Sequence, residues 1–315
     1  MVLFSGCDKA DQSTAAPGEA KKEVRKIAVI PKGTTHIFWR TVEAGARDAA
    51  KEAGVEMIWK GPLKEDDRAQ QIQVVESFLT QGVSGIVLAP LDQNALLKPV
   101  QAAGAKNIPV VIIDSSLSGE AGKDFASLVA TDNKAGGKLA GDEMVRLTGG
   151  KAKLVLLRYL EGSASTQQRE EGFVDATKGK EMTYLVDNKY SGATSAEAQT
   201  AALNLGDKLK EADAVYCPNE SSTYGMLLAL KQLKLAGKIK FIGFDASPPL
   251  LEALRAGEIH ALVAQNPKKM GYLGVKTLIQ KLDGVTVPPM VDTGCVLITK
   301  DNLETPEVKE ILANQ

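Results

Sequence analysis

The stretch Phe241-Ile242-Gly243-Phe244-Asp245-Ala246-Ser247 decides the fold class of this chain. Its apolar run ends in a carboxylate, and Pro248-Pro249 follow, which predicts a buried strand that leads into a helix. The same pattern occurs earlier, in Val110-Val111-Ile112-Ile113-Asp114-Ser115-Ser116. Strands buried on both faces are typical of parallel sheets, which bind ligands at their carboxyl edge. The two stretches therefore predict two sheets, each with an Asp at its ligand-binding edge.

Short apolar runs alternate with helical patterns from Lys26 onward. Segments 38–53 and 195–209, for example, are each predicted to form one helix because apolar side chains recur at helical spacing. Helices between buried strands make right-handed crossovers and a parallel sheet. The chain is therefore predicted to be an α/β protein.

The two halves of the chain repeat one another. Pro90, a predicted helix and Asp114 correspond to Pro218, a predicted helix and Asp245. We therefore predict two doubly wound parallel-sheet lobes joined by a three-segment hinge, with the crossings near Thr131, Gln265 and Asp292. The predicted divisions are a tether, 1–25, an N-terminal lobe, 26–131 with 266–292, and a C-terminal lobe, 132–265 with 293–315.

Composition and charge exclude several classes of protein. Lys and Arg number 38 against 39 Asp and Glu, so the net charge is -1 and no basic field exists to hold a nucleic acid. No run of about 18 apolar residues predicts a transmembrane helix. Since the chain has two His and no Cys pair at metal spacing, we expect neither a metal nor a cofactor. Cys217 and Cys295 lie in apolar runs and are predicted to be buried free thiols, with a disulfide as the alternative.

Motifs of an enzyme are nearly absent. The loop 31–36 after the first strand has no glycine pattern for phosphate. Gly162-Ser163-Ala164-Ser165 is the nearest approach to a nucleophile elbow and lacks its final Gly. A general acid and base formed by Asp114 and Asp245 is the remaining enzymatic alternative. We expect a binding protein rather than an enzyme.

The polar and aromatic residues at predicted strand ends suit a sugar. Carboxylates, amides and guanidinium groups match pairs of hydroxyls, and aromatic rings pack against the apolar faces of a pyranose. Each residue also has a structural alternative: core packing for the aromatics, a solvated helix face for the Arg, helix capping for the Asn and both Asp, and a surface hinge for the Gln. These residues are Phe38, Trp39, Asp114, Arg169, Asn219, Asp245 and Gln265.

Taken together, the motifs of residues 26–299 resemble the periplasmic sugar-binding proteins of ABC transporters, of the ribose/galactose-binding type. The resemblance implies a type I periplasmic binding protein fold and a monomeric receptor that captures a small sugar, a pentose, hexose or polyol, and delivers it to a membrane permease. It rests on Phe38-Trp39, Pro109 to Asp114, Ala130-Thr131-Asp132-Asn133, Arg169-Glu170-Glu171-Gly172-Phe173, Gly243-Phe244-Asp245 and Ala264-Gln265.

The resemblance implies a set of ligand-binding residues. Two of them depart from the family pattern, since His36 replaces an Asn and Ser115 replaces an Arg of the ribose type. The principal set is His36, Phe38, Trp39, Asp114, Ser115, Arg169, Asn219, Asp245 and Gln265, and possible additional contacts are Asp92, Arg158, Tyr159 and Tyr190.

Three alternatives to a transport receptor remain. A weaker resemblance to the autoinducer-2 receptor, in Ile30-Pro31-Lys32 and Lys60-Gly61-Pro62, implies a signalling receptor. A repressor core would require a helix-turn-helix before Lys26, where the chain instead has a polar, small-residue composition. A sugar-modifying enzyme would show turnover.

The beginning of the chain, Met1 to Cys7, resembles the end of a signal peptide, the bacterial lipobox, with Phe4 where that motif usually has Leu. The resemblance implies lipidation at Cys7 and a location in the periplasm or on the outer face of the cytoplasmic membrane. Asp8, next to it, resembles an inner-membrane retention signal. The alternative is an incorrectly assigned start codon or a cloning remnant ahead of a disordered tail.

Overall fold

The computed structural model describes residues 1–2 and 24–313, and within them strands and helices mostly alternate. The strands are β1 (Lys26–Ile30), β2 (Glu56–Trp59), β3 (Gly85–Leu88), β4 (Val110–Ile113), β5 (Ser127–Ala130), β6 (Lys151–Arg158), β7 (Glu181–Tyr190), β8 (Ala214–Tyr216), β9 (Lys240–Phe244), β10 (Ala261–Gln265), β11 (Met290–Asp292) and β12 (Cys295–Thr299). The helices are α1 (Ile37–Ala53), α2 (Arg68–Gln81), α3 (Leu97–Ala105), α4 (Asn133–Thr148), α5 (Ala164–Thr177), α6 (Ser195–Leu203), α7 (Gly206–Glu211), α8 (Glu220–Gln232), α9 (Pro248–Ala256), α10 (Pro267–Leu282) and α11 (Pro306–Leu312).

In the described part of the chain the strands form two six-stranded sheets with the same order. The first is β11-β5-β4-β3-β1-β2 and the second is β12-β10-β9-β8-β6-β7. All pairs in the first sheet are parallel, whereas in the second β12 runs antiparallel to β10. The two-lobed α/β fold predicted from the sequence is therefore confirmed, with one antiparallel edge strand as the exception to its parallel sheets.

Both sheets carry helices on both faces, so their central strands are buried on each side. β3, β4 and β8 are buried along their whole length. One face of the first sheet packs against α1 and α10, and the other against α2 and α3. This double burial is the reason that the strands have continuous apolar sequences rather than alternating ones.

Three segments connect the two lobes, between β5 and α4, between β10 and α10, and between β11 and β12. They lie side by side and bind one another. The Thr131 hydroxyl donates to Oε1 of Gln265 over 2.9 Å, and the backbone N–H of Thr293 donates to the carbonyl of Ala130 over 3.0 Å. The predicted three-segment hinge is therefore present, with its crossings held together by hydrogen bonds.

Some local predictions were wrong or incomplete. The helix predicted over 195–209 is two helices, α6 and α7, because the chain tightens where Leu205 N–H bonds to the carbonyl of Ala202, three residues back. β11 is a short and mostly exposed edge strand, so it has no apolar run to mark it. Cys217 and Cys295 are free thiols as predicted, although Cys295 is only half-buried. Within the described ranges, every helix is too short or too polar to cross a membrane.

Candidate functional site

A cavity lies between the carboxyl ends of the two sheets. Its empty space, counted out to the mouth, is about 340 Å³. Among the principal residues expected from the sequence, only Ser115 is outside its lining. The lining consists of Lys32, His36, Phe38, Trp39, Glu65, Asp114, Tyr159, Ser165, Thr166, Arg169, Asn219, Glu220, Asp245 and Gln265.

Asp114 and Asp245 occupy equivalent positions in the two lobes. Each follows the strand predicted to carry it, β4 or β9, and each has a left-handed backbone, with φ of 65° and 70°. Their backbone N–H groups donate to equivalent neighbours, the carbonyls of Val129 and Val263. Asp adopts this conformation more readily than most residues, because its short polar side chain can hydrogen-bond locally. Backbone strain of this kind is concentrated at functional sites.

The carboxylate of Asp114 is paired with Lys32, a residue that the sequence reasoning did not include in the site. Nζ of Lys32 lies 2.7 Å from Oδ2 of Asp114 and donates to Oγ of Ser165 over 3.0 Å. Lys32 belongs to the loop after β1, whereas Ser165 is in α5 of the other lobe. A position directly after the first strand was the available signal for Lys32, because that strand also ends at the carboxyl edge.

Asp245 is held by the hinge and by a helix start. Oδ1 accepts a hydrogen bond from Nε2 of Gln265 over 2.7 Å, and Oδ2 accepts one from the backbone N–H of Glu220 over 2.9 Å. Burial raises the pKa of Asp245, although the Arg169 guanidinium and these two donors oppose the shift. The carboxylate thus links the connecting segment to the wall of the cavity.

Arg169 is buried, with only 2% of its surface exposed, so the solvated helix face that was its alternative does not apply. Nε donates to Oδ1 of Asn133 over 2.8 Å, and Nη1 donates to the carbonyl of Pro218 over 3.0 Å. The guanidinium lies 3.9 Å from the ring centroid of Phe244. Nη2 is buried and has no acceptor among residues 24–313.

Close packing of α4 against α5 places Arg169. A Cβ added at Gly137, in α4, would lie 2.0 Å from the carbonyl oxygen of Arg169. Only glycine therefore allows the two helix backbones to approach this closely. The approach holds the backbone of Arg169 against the helix that carries its partner Asn133.

Asn219 lines the cavity, but its side chain caps α8, the structural alternative considered above. Oδ1 accepts from the backbone N–H of Ser222, and Nδ2 donates to Oγ of Ser221 over 3.1 Å. The next residue, Glu220, was not expected in the site. Its carboxylate accepts a long hydrogen bond, 3.5 Å, from the backbone N–H of Phe38 in the other lobe. Burial, and then the nearby Asp245 carboxylate, raise the pKa of Glu220.

Glu65 is the second carboxylate that the sequence reasoning missed, and it holds three cavity residues together. Oε1 accepts from Nε1 of Trp39 over 2.7 Å and lies 2.8 Å from Nδ1 of His36, and Oε2 accepts from the Tyr159 hydroxyl over 2.9 Å. The Phe38 ring meets the Trp39 ring edge to face, with centroids 5.1 Å apart. The aromatic pair at the start of α1 is therefore anchored by one carboxylate.

His36 and Glu65 form an ion pair at neutral pH. Burial by itself would lower the pKa of His36, but the Glu65 carboxylate outweighs it and raises that pKa to about 9. Burial would likewise raise the pKa of Glu65, but His36 lowers it to about 2. Both groups are charged between those values.

Four expected residues lie outside the lining, as far as the described residues define it. Ser115 accepts a hydrogen bond from the backbone N–H of Ser165 over 2.9 Å. Asp92 is paired with Arg68, Arg158 is paired with Glu170, and Tyr190 is 47% exposed on β7. Ligand contacts from these residues stay predictions. Cys7 lies outside the described residues.

Several proteins similar to this chain are named for a sugar or were solved with a sugar bound. The D-allose-binding periplasmic protein of Escherichia coli is 28% identical over 84% of this chain and 86% of its own length, and the ribose import binding protein of Haemophilus influenzae is 27% identical over 87% and 91%. An ABC transporter solute binding protein from Agrobacterium vitis, solved with bound D-fucose, is 36% identical, with a TM-score of 0.87 over 90% of this chain and 98% of that one. A carbohydrate transporter solute binding protein from Agrobacterium radiobacter, in complex with D-arabinose, is 33% identical, with a TM-score of 0.86 over 92% and 99%.

The sequence profile of the periplasmic binding protein domain family matches residues 27–286. That range includes nearly all of both sheets and every residue that lines the cavity. The chain belongs to the periplasmic binding protein domain family, in its type I form with two lobes.

Proposed function

We propose that this protein is the solute-binding receptor of an ABC importer, and that it captures a small sugar between its lobes and delivers it to a membrane permease. The relatives named for ribose and allose, and the similar structures that hold D-fucose and D-arabinose, support this proposal. The observation that carries it concerns Arg169, a residue of the cavity lining, whose Nη2 is buried and has no acceptor among the described residues. A sugar oxygen would supply that acceptor, and a donor left unpaired costs about 1–3 kcal/mol.

The cavity suits a neutral monosaccharide. Its lining combines carboxylates, amides and a guanidinium group, which match hydroxyls, with the aromatic rings that pack against the apolar faces of a sugar ring. Its charged groups are mostly paired with one another, Lys32 with Asp114 and His36 with Glu65. A ligand with a net charge would have to compete with these pairs, whereas hydroxyls can bind to them as they stand.

Closure of the lobes completes this binding mode. Several hydrogen bonds join the lobes around the cavity, among them those from Lys32 to Ser165, from Tyr159 to Glu65 and from Phe38 to Glu220. The moving units are then 26–131 with 266–292 and 132–265 with 293–315, and sugar entry requires these bonds to break.

In this role the protein lies in the periplasm as a monomer and is held at the cytoplasmic membrane through a lipid on Cys7. Mass spectrometry of Cys7 in the membrane fraction tests that anchor, and an unmodified thiol there would contradict it.

A thermal-shift screen tests the function. D-ribose, D-allose, D-fucose and D-arabinose are compared with free amino acids, and the best sugar is then measured by calorimetry. A sugar at 100 times its Kd adds about 2.7 kcal/mol of stability, which raises Tm by about 4 °C in a chain of this length. Stabilisation by an amino acid and by none of the sugars would refute the proposal. Autoinducer-2 is included as a further arm, although the named relatives support sugar import instead.

A further inference from the structure

Glu65 has contacts that extend across the cavity, because its carboxylate accepts hydrogen bonds from both lobes. It lies in the loop between β2 and α2, and only 7% of its surface is exposed. Oε1 accepts a hydrogen bond from Nε1 of Trp39 over 2.7 Å and lies 2.8 Å from Nδ1 of His36, while Oε2 accepts one from the Tyr159 hydroxyl over 2.9 Å. Both oxygens are therefore occupied by cavity residues.

The partners of Glu65 separate when the lobes open. His36 and Trp39 stand at the start of α1, beside the first sheet, so they move together with Glu65. Tyr159 follows β6 of the second sheet, and its ring is 1% exposed. Lobe separation therefore breaks the bond between Tyr159 and Glu65 and leaves the bonds from Glu65 to His36 and Trp39 intact.

The geometry of a carboxylate connects these bonds. Its two oxygens are fixed relative to one another, so the side-chain torsion that lets Oε2 reach Tyr159 also sets the position that Oε1 offers to Trp39. Trp39 is 2% exposed, belongs to the first-lobe core and also lines the cavity. A change in the position of Oε1 therefore changes how the ring faces the cavity.

We propose, on the basis of the sugar-receptor function given above, that Glu65 is a positioning residue that couples the orientation of the Trp39 ring to lobe closure through Tyr159. The ring reaches its final position against the sugar only when the second lobe has arrived. Ring stacking and lobe closure are then one cooperative event, and the specificity of the cavity depends on a residue that need not itself bind the sugar.

Tyr159→Phe is the direct test, since it removes only the hydroxyl that reaches Glu65 from the second lobe. Trp39 and Trp59 are the two tryptophans of the chain, so a Trp59→Phe background isolates the emission of Trp39. Ser165→Ala is the matched control, because it removes another hydrogen bond between the lobes, the one from Lys32, and leaves Glu65 untouched. The proteins are saturated with whichever of D-ribose, D-allose, D-fucose or D-arabinose binds.

At saturation, we expect the emission of Trp39 to differ from that of the parent in Tyr159→Phe and to match it in Ser165→Ala. We also expect Tyr159→Phe to weaken sugar affinity about tenfold. Combined with Trp39→Phe, its effect should depart from the product of the two single losses by about threefold or more, because both bonds share one carboxylate. The combination of Ser165→Ala with Trp39→Phe should be multiplicative.

Unchanged emission of Trp39 in Tyr159→Phe, or a multiplicative combination of Tyr159→Phe with Trp39→Phe, would overturn the coupling. Acrylamide quenching of Trp39 in the sugar-free protein tests it separately from the proposed function. There, Glu65→Gln and Tyr159→Phe should each alter quenching, and the double variant should alter it no more than Glu65→Gln alone. If no sugar binds the parent protein, the receptor function fails while this quenching result still decides the coupling.

Discussion

Arg169→Lys separates the role of Arg169 in sugar binding from its role in folding. The substitution keeps the positive charge and removes the planar guanidinium, which donates to Asn133 and Pro218 and also faces the cavity. The lysine side chain is shorter and its ammonium is a single point charge, so it can make at most one of these hydrogen bonds. Burial of residue 169 leaves little water to replace the others.

The magnitude follows from the contacts. The bond from Nη2 to a sugar oxygen is charge-assisted and contributes about 1.5–3 kcal/mol, so its loss weakens affinity by about 10- to 100-fold. Without sugar, either Asn133 or Pro218 loses its donor, which costs about 1–3 kcal/mol and lowers Tm by several degrees. Affinity and stability should therefore both fall.

Calorimetry with the best sugar and thermal unfolding of the sugar-free protein measure the two effects. Arg146→Lys is the control, since Arg146 is also paired with a buried carboxylate, that of Glu143, but lies outside the cavity lining. We expect it to lower Tm and to keep affinity within about twofold. If Arg169→Lys also kept affinity while lowering Tm, Arg169 would be structural, and the observation that carries the proposed function would be lost.

Three further predictions follow from the cavity and the helix packing. Asp245→Ala should weaken sugar affinity about tenfold by calorimetry, and unchanged affinity would remove Asp245 from the site. Glu65 raises the pKa of His36 from 6.5 to about 9. The ion pair between them therefore contributes fully to the free energy of unfolding below pH 6.5, and this contribution disappears as pH rises through 9. Urea unfolding should show this loss, up to about 3 kcal/mol, in the parent and not in His36→Gln, whereas equal pH profiles would contradict it. Gly137→Ala should lower Tm, because the new Cβ would clash with the Arg169 carbonyl. The control, Gly104→Ala in α3, places its Cβ where nothing lies within 4 Å and should raise the free energy of unfolding by about 0.5–1 kcal/mol. An unchanged Tm in Gly137→Ala would contradict the close approach of α4 and α5.

Much of the fold could be predicted because parallel strands are continuous apolar runs. β4 and β9 each end at an Asp, and the repeat from Pro90 to Asp114 and from Pro218 to Asp245 indicated two equivalent lobes. β11 had no such signal, since it is short and exposed at a sheet edge. Local patterns therefore marked most of the buried strands and missed β11, which depends on its neighbour β5 for its structure.

The candidate site was predictable only in part. Asp114 and Asp245 were found because each directly follows a predicted buried strand and therefore lies at the carboxyl edge of a parallel sheet. Lys32, Glu65 and Glu220 were missed, because charged residues in loops and at helix starts are exposed by default, and only Lys32, directly after β1, had a local signal. Asn219 was predicted as a ligand contact with helix capping as the alternative, and in the structure its side chain caps α8.

The sequence by itself determined where the chain is apolar and where it turns, and therefore two sheets with an acidic residue at the edge of each. Only the tertiary structure decided which charged side chains meet, because those partners are far apart along the chain. Glu65 and Tyr159 are separated by 94 positions, and Lys32 and Ser165 by 133. Such pairs exist only when the two lobes come together, and the burial that this produces strengthens each pair.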